Sequence, residues 1–172
     1  MKNFILTSMI CFAFVSISFS QEKSVVITPN VGLGFADGTS CLAFGANIGY
    51  QFNTNRISLC YLSGSKKRTE YSNGDFADAL IGNITLTYSK IFNNGKVSFV
   101  PDLGLGYVSG SWTENSDGNG KNLQSGFGLT FGCGIEFSLT DNLLFKLSYD
   151  HALLITDFSG NGAILCGVGF QL

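Results

Sequence analysis

Gly126-Phe127-Gly128-Leu129-Thr130-Phe131-Gly132-Cys133-Gly134-Ile135-Glu136-Phe137-Ser138-Leu139 alternates without a break. The odd positions are large and apolar apart from Cys133; the even positions are Gly, Thr, Ser and a single Glu. A β-strand sends successive side chains to opposite faces. The segment therefore has one bulky apolar face and one small polar face. A helix, repeating every 3.6 residues, would mix the two sets, so seven matches to a period of two identify a strand.

The same alternation recurs on both sides of this run. Val25, Ile27, Val31, Leu33 and Phe35 alternate with Thr28, Asn30, Gly32 and Gly34. Leu42, Phe44, Ala46, Ile48, Tyr50 and Phe52 alternate with Ala43, Gly45, Asn47, Gly49 and Gln51. A shorter run carries Ile57, Leu59 and Tyr61 on one face, and Leu80, Ile84, Leu86 and Tyr88 oppose Asn83, Thr85, Thr87 and Ser89. Val97, Phe99, Leu103, Leu105 and Tyr107 oppose Ser98, Asp102, Gly104 and Gly106. Leu143, Phe145, Leu147, Tyr149 and Leu153 oppose Lys146, Ser148, Asp150 and Ala152. Ile164, Cys166, Val168, Phe170 and Leu172 oppose Gly167, Gly169 and Gln171. These make eight strands in an all-β chain.

The joins fall into two kinds. Asn53-Thr54-Asn55, Asn93-Asn94-Gly95 and Thr140-Asp141-Asn142 are tight, with Asn and Gly to supply the positive φ of short hairpins. Residues 64–78 and 110–124 are long and polar, while the joins around Asp37-Gly38 and Asp157 to Gly162 are shorter. Tight turns at one end and longer loops at the other form the pattern of an eight-stranded antiparallel up-and-down transmembrane β-barrel.

The residue types on the two faces support a barrel in lipid over a soluble sandwich. The polar face is mostly Gly, Ser, Thr and Asn, which suits a narrow lumen that side chains nearly fill. The apolar face carries no acid and no Arg, and Lys90 near its edge can extend its head to an interface. Tyr50, Phe52, Tyr88, Phe92, Phe137, Phe145 and Phe170 lie towards the tight-turn end; Phe35, Tyr61, Tyr107, Phe127 and Tyr149 lie towards the other. Two such sets suit interfacial girdles. Pro29 and Pro101 sit inside strand patterns, where each removes one ladder hydrogen bond.

Composition agrees. Of 172 residues 45% are hydrophobic and 13% charged, with net charge −2; no basic surface suited to nucleic acid exists. Residues 1–20 read as a secretory signal peptide, with Lys2 as the charged start, Phe4 to Phe19 as the apolar stretch and Ser18-Phe19-Ser20 as the cleavage site. The barrel domain is then 21–172. Cys41, Cys60, Cys133 and Cys166 are expected to stay as thiols, because Cys133 and Cys166 fall on strands that are not neighbours and Cys60 faces inward.

The whole mature chain resembles the small outer-membrane barrels of Gram-negative bacteria, the group of the OmpA transmembrane domain and OmpX. Gly167-Val168-Gly169-Phe170-Gln171-Leu172 is similar to that family's assembly signal, with Gly167, Phe170 and Leu172 as its marked positions; Leu172 stands where Phe is usual, and Leu165 where a polar residue is. The resemblance implies an exported protein with both termini periplasmic. Its partners would be outer-membrane lipid, lipopolysaccharide and the assembly machinery.

Candidate sites are few. Arg56, Asp102, Glu136, Lys146 and Asp150 are the charged residues on inward positions, and buried charge is tolerated only when paired. A loop with Asn142 in the left-handed region pairs Leu139 with Leu143, which sets Glu136 opposite Lys146 and Gly132 opposite Asp150. Glu136 and Lys146 are thus expected at the centre of a lumen charge network. Lys66, Lys67 and Arg68 begin a long loop and are candidates for lipopolysaccharide phosphates; a solvated loop balanced by Glu70, Asp75 and Asp78 is the plainer reading. Asp117-Gly118-Asn119-Gly120 hints at a calcium loop, but Lys121 falls where a ligand belongs.

His151 is the single histidine and points outward. Lipid A deacylases on similar barrels place a Ser two residues after such a His and an acid on the adjoining strand. Here Leu153 follows, and the last strand has no Asp or Glu, so no catalytic set is complete. The expectation is a structural or surface-interaction barrel without cofactor or metal, whose extracellular ligand the sequence does not name. A narrow channel is the alternative, and a lipid-modifying enzyme the second.

Overall fold

The computed structural model describes residues 23–36, 39–70, 76–109, 112–114, 125–155 and 160–172. Residues 1–20, the Asp37-Gly38 join and the Asp117 segment lie outside them. Eight long strands form the wall: β1 (Lys23–Ala36), β2 (Thr39–Phe52), β3 (Asn55–Glu70), β4 (Phe76–Lys90), β6 (Val97–Ser109), β8 (Ser125–Ser138), β9 (Leu143–Leu154) and β10 (Gly160–Gln171). Two three-residue pieces, β5 (Phe92–Asn94) and β7 (Trp112–Glu114), complete the set. Each long strand pairs antiparallel with its chain neighbour, and β10 pairs with β1 to close the cylinder. The piece β5 keeps the register of β4 along β6; the break at Ile91 lies beside Pro101, which has no N–H to offer.

The barrel is inside out relative to a soluble protein. Leu129 is 44% exposed and its neighbour Thr130 only 8%, and the contrast holds on all eight strands. The outward residues are the apolar set read from the alternation. Rings stack along the tight-turn end, Tyr50 on Phe52, Phe92 on Phe99 and Phe137 beside Phe145. There Lys90 Nζ donates to Thr54 Oγ1 and Asn55 Oδ1, and Tyr88 donates to Asn55 Oδ1.

The turns are tighter than the sequence suggested in two cases. Phe52 pairs with Asn55, leaving Asn53-Thr54 as the loop, and Asn94 pairs with Val97, leaving Gly95-Lys96. Asn53 (φ 52°) and Gly95 (φ 67°) carry the positive φ. Asn142 does not. Among the described residues Asn53 is the single non-glycine with positive φ. The third turn is held instead by Leu139 N–H and Thr140 N–H donating to the Leu143 carbonyl, and by Asn142 N–H donating to Thr140 Oγ1. The register survives the different turn chemistry: Glu136 lies opposite Lys146, and Gly132 opposite Asp150.

Strand ends depart further. The expected 64–78 loop is largely strand, since β3 runs to Glu70 and β4 begins at Phe76. Lys66, Lys67 and Arg68 therefore lie in β3, at an irregularity of register between Lys66 and Thr69. Trp112–Glu114 pairs with β4 inside the expected 110–124 loop, and β10 starts at Gly160 rather than after Gly162. The alternation signal fades at these ends because outward positions there turn polar, as at Ser63 and Ser65, while the backbone ladder continues.

Candidate functional site

The inward side chains fill the lumen in layers. Nearest the tight turns lie Val26, Ile91, Val100 and Leu144, all buried. Above them Arg56 crosses from β3 to Glu136 on β8, three strands away around the wall. Arg56 Nη1 donates to Glu136 Oε1 at 2.6 Å, and Nη2 to Oε2 at 2.9 Å. Nη2 also donates to Gln51 Oε1 at 2.8 Å. A bidentate fork of this kind is the strongest form of the Arg–carboxylate contact.

This corrects the expected centre of the network. Lys146 faces Glu136 across the ladder, yet the carboxylate is taken by Arg56. The Lys146 side chain runs instead along the wall over Gly134: a β-carbon added there would meet Lys146 Cε at 3.1 Å. That path leads towards Asp150 and Asp102. These two sit on β9 and β6, each directly opposite Gly132 on the strand between them. The five inward charges thus divide into a paired couple, Arg56 with Glu136, and a looser group of Lys146, Asp102 and Asp150.

A cavity of about 50 Å³ lies in this middle layer, lined among others by Cys60, Thr87, Asp102, Thr130, Lys146 and Asp150. One water needs about 10–15 Å³, so there is room for a few waters. Cys60 Sγ lies 3.2 Å from Thr87 Oγ1. Thr130 Oγ1 is buried without a hydrogen-bond partner.

Towards the long-loop end the lumen closes again. Asn83 on β4 and Asn161 on β10 exchange hydrogen bonds across it at 2.9 and 3.1 Å, and Asn161 Nδ2 also donates to the Ser109 carbonyl at 2.7 Å. Around them Cys41, Ala43, Leu62, Ile81, Ala163 and Leu165 form an apolar cluster. This layer is not legible in the alternation: Asn161 falls in the join from Asp157 to Gly162, and no periodicity marks which inward residues meet across the lumen.

The C-terminal residues sit at the seam where β10 meets β1. Leu172 N–H donates to the Val25 carbonyl and Val25 N–H to the Leu172 carbonyl. Gln171 exchanges hydrogen bonds with Asn142 of the third turn, its N–H to the Asn142 carbonyl and its carbonyl from Asn142 Nδ2. Phe170 faces outward. Gly167 faces inward, where a β-carbon would strike Asn30 Oδ1 and the Pro29 carbonyl. Gly167→Val is therefore expected to lower unfolding free energy in lipid by about 1–3 kcal/mol, the usual cost of overpacking. Urea titration of refolded protein checks it.

His151 lies on the outer wall with Phe131 at 5.0 Å between ring centroids and the Tyr149 hydroxyl 3.3 Å from Nδ1. Its partners on the flanking strands are Phe131 and Gly162. Cys133 also faces outward, and Cys166 donates to the Val31 carbonyl across the seam. For Lys66, Lys67 and Arg68 the backbone is described but not the side chains.

A family model described as the outer membrane protein beta-barrel domain matches residues 7–171. Among solved structures, Neisserial surface protein A (NspA) is 14% identical, with TM-score 0.60 over 87% of this chain and 97% of that one. Ail, the attachment invasion locus protein of Yersinia pestis, is 19% identical, with TM-score 0.60 over 87% and 98%. The N-terminal β-barrel domain of Pseudomonas aeruginosa OprF is 19% identical, with TM-score 0.58 over 87% and 97%. At these identities the likeness is one of fold. No curated protein matches the sequence.

Proposed function

Because this chain belongs to the family of outer-membrane β-barrel domains, we propose that it serves as a surface-interaction barrel, working through its long-loop end. It is exported by residues 1–20, with both termini and the tight turns in the periplasm. It neither conducts solutes nor catalyses a reaction. The observation that carries this is a lumen closed at two levels, by Arg56–Glu136 and by the Asn83–Asn161 layer, beneath strands that outrun the membrane. β3 has 16 residues; at about 3.3 Å per residue and a tilt near 40° it climbs about 40 Å, against an apolar band about 25 Å tall.

The outward apolar residues of β3 end at Tyr61, so the stretch from Ser63 to Glu70 stands above the band. Lys66, Lys67 and Arg68 are in that stretch, at the height where lipopolysaccharide phosphates lie, and clustered cations attract such headgroups. The same Ail barrel has been solved in complex with the heparin analogue sucrose octasulfate, which makes an anionic ligand a reasonable class to test here. His151 has neither a nucleophile nor an acid opposite it on the adjoining strands, which argues against a deacylase.

The test compares the barrel in phosphatidylcholine vesicles with and without lipopolysaccharide. Lipopolysaccharide is expected to raise the thermal midpoint of the wild type, and changing Lys66, Lys67 and Arg68 to Gln is expected to abolish the rise. An unchanged rise would remove the basic triplet from the interaction. Steady unitary currents in a planar bilayer would overturn the non-conducting assignment.

A further inference from the structure

The middle layer of the lumen does not balance its charge. Arg56 and Glu136 neutralise one another. That leaves Lys146 with two carboxylates, Asp102 and Asp150, all three lining the same small cavity. One negative charge is left over inside a barrel wall that faces lipid, where an uncompensated ion is costly.

The two carboxylates converge. A β-carbon at Gly132 would lie 2.7 Å from Asp150 Oδ1 and 3.0 Å from Asp102 Oδ1. Both oxygens therefore lean over the same bare stretch of backbone, at most about 6 Å apart. Ser148 donates to the other oxygen of Asp150, at 3.4 Å. Thr130, on the same strand as Gly132, lines this cavity. It is 8% exposed, and its Oγ1 has no partner among the described residues. An orphaned buried hydroxyl on the same cavity as two carboxylates is an oxygen donor set in want of a cation.

We infer that the cavity between Asp102 and Asp150 binds one monovalent metal cation of the sodium class, held by the two carboxylates, Thr130 Oγ1 and trapped water. Gly132 makes the site possible, because any side chain there would fall on both carboxylates. The volume accommodates an ion with two or three waters, and the charge deficit is one. A divalent ion would leave the layer with one excess positive charge beside Lys146, and among the described residues no three His, Cys, Asp or Glu side chains come together. Lys146 is the like charge at the site. It compensates one carboxylate and leaves the other for the ion.

The experiment refolds the barrel into phosphatidylcholine vesicles in sodium chloride or in N-methylglucamine chloride, at equal ionic strength and pH, and measures the urea midpoint. A bound ion stabilises in proportion to the logarithm of its concentration, so the wild-type midpoint should rise with sodium. Asp150→Asn keeps the shape and removes the excess charge. It should fold at least as well in N-methylglucamine and lose the sodium response. Thr130→Val should weaken that response. Equal wild-type midpoints in the two salts would overturn the proposal, as would a sodium response retained in Asp150→Asn, which would mark a surface effect. A midpoint that follows pH but not sodium would overturn it too, because a proton would then supply the missing charge.

Discussion

Arg56→Met is expected to cost about 3–5 kcal/mol of unfolding free energy in lipid, because it leaves Glu136 as an uncompensated charge inside the wall. The guanidinium meets both carboxylate oxygens and Gln51 as well, so three contacts go at once. The matched change of Arg56→Met with Glu136→Leu should recover most of the loss, since an apolar pair of similar volume needs no desolvation. A double-mutant cycle then separates the two candidate partners of Glu136. Arg56 and Glu136 should couple, by up to about 3 kcal/mol. Glu136→Gln and Lys146→Met should couple more weakly than that, because Arg56 and not Lys146 makes the ion pair to the carboxylate. Strong coupling in the second cycle would restore Lys146 as the partner and contradict the observed geometry.

Leu129→Arg tests the other surface. Leu129 is outward on β8, flanked along the strand by Phe127 and Phe131 and paired with Leu105 and Leu153 on the neighbouring strands. An Arg on the lipid face near the midplane costs about 2–4 kcal/mol and less towards the interfaces. Unfolding in vesicles, followed by tryptophan fluorescence, should give a loss in that range. Moving the same charge one residue along should fail for a different reason. Thr130 faces the lumen, so Thr130→Arg acts through crowding there and not through lipid, since the cavity that Thr130 lines holds only a few waters. Wild-type stability for Leu129→Arg would mean that the two faces have been exchanged.

These two predictions draw on parts of the structure that were unequally legible. Which face of each strand meets lipid followed from a period of two, because strand geometry ties neighbouring positions to opposite sides whatever the rest of the chain does. The register of the β8–β9 hairpin was legible for a similar reason. The number of residues in the turn sets the pairing, not the backbone conformation inside it, so Glu136 fell opposite Lys146 even though Asn142 took a different conformation from the one expected.

Strand ends were less legible. Where the wall rises above the apolar band, polar residues such as Ser63 and Ser65 face water on the outside, and the contrast between faces vanishes while the hydrogen-bond ladder goes on. The basic triplet Lys66, Lys67 and Arg68 consequently reads as loop in the sequence and is strand in the barrel.

The sequence by itself determined the class of fold, the inward and outward sets and the pairing of adjacent strands, all consequences of local geometry repeated eight times. Only the closed barrel decided which inward residues meet. Arg56 and Glu136 are 80 positions apart, and Asn83 and Asn161 are 78 apart. No periodicity links such residues. They face one another because the number, tilt and stagger of the strands fix which points of the wall lie across the lumen at one height. Asp102 and Asp150 come over Gly132 by another route, the register of β6 and β9 on the two sides of β8; what closure adds is the narrow lumen that holds their charge away from water.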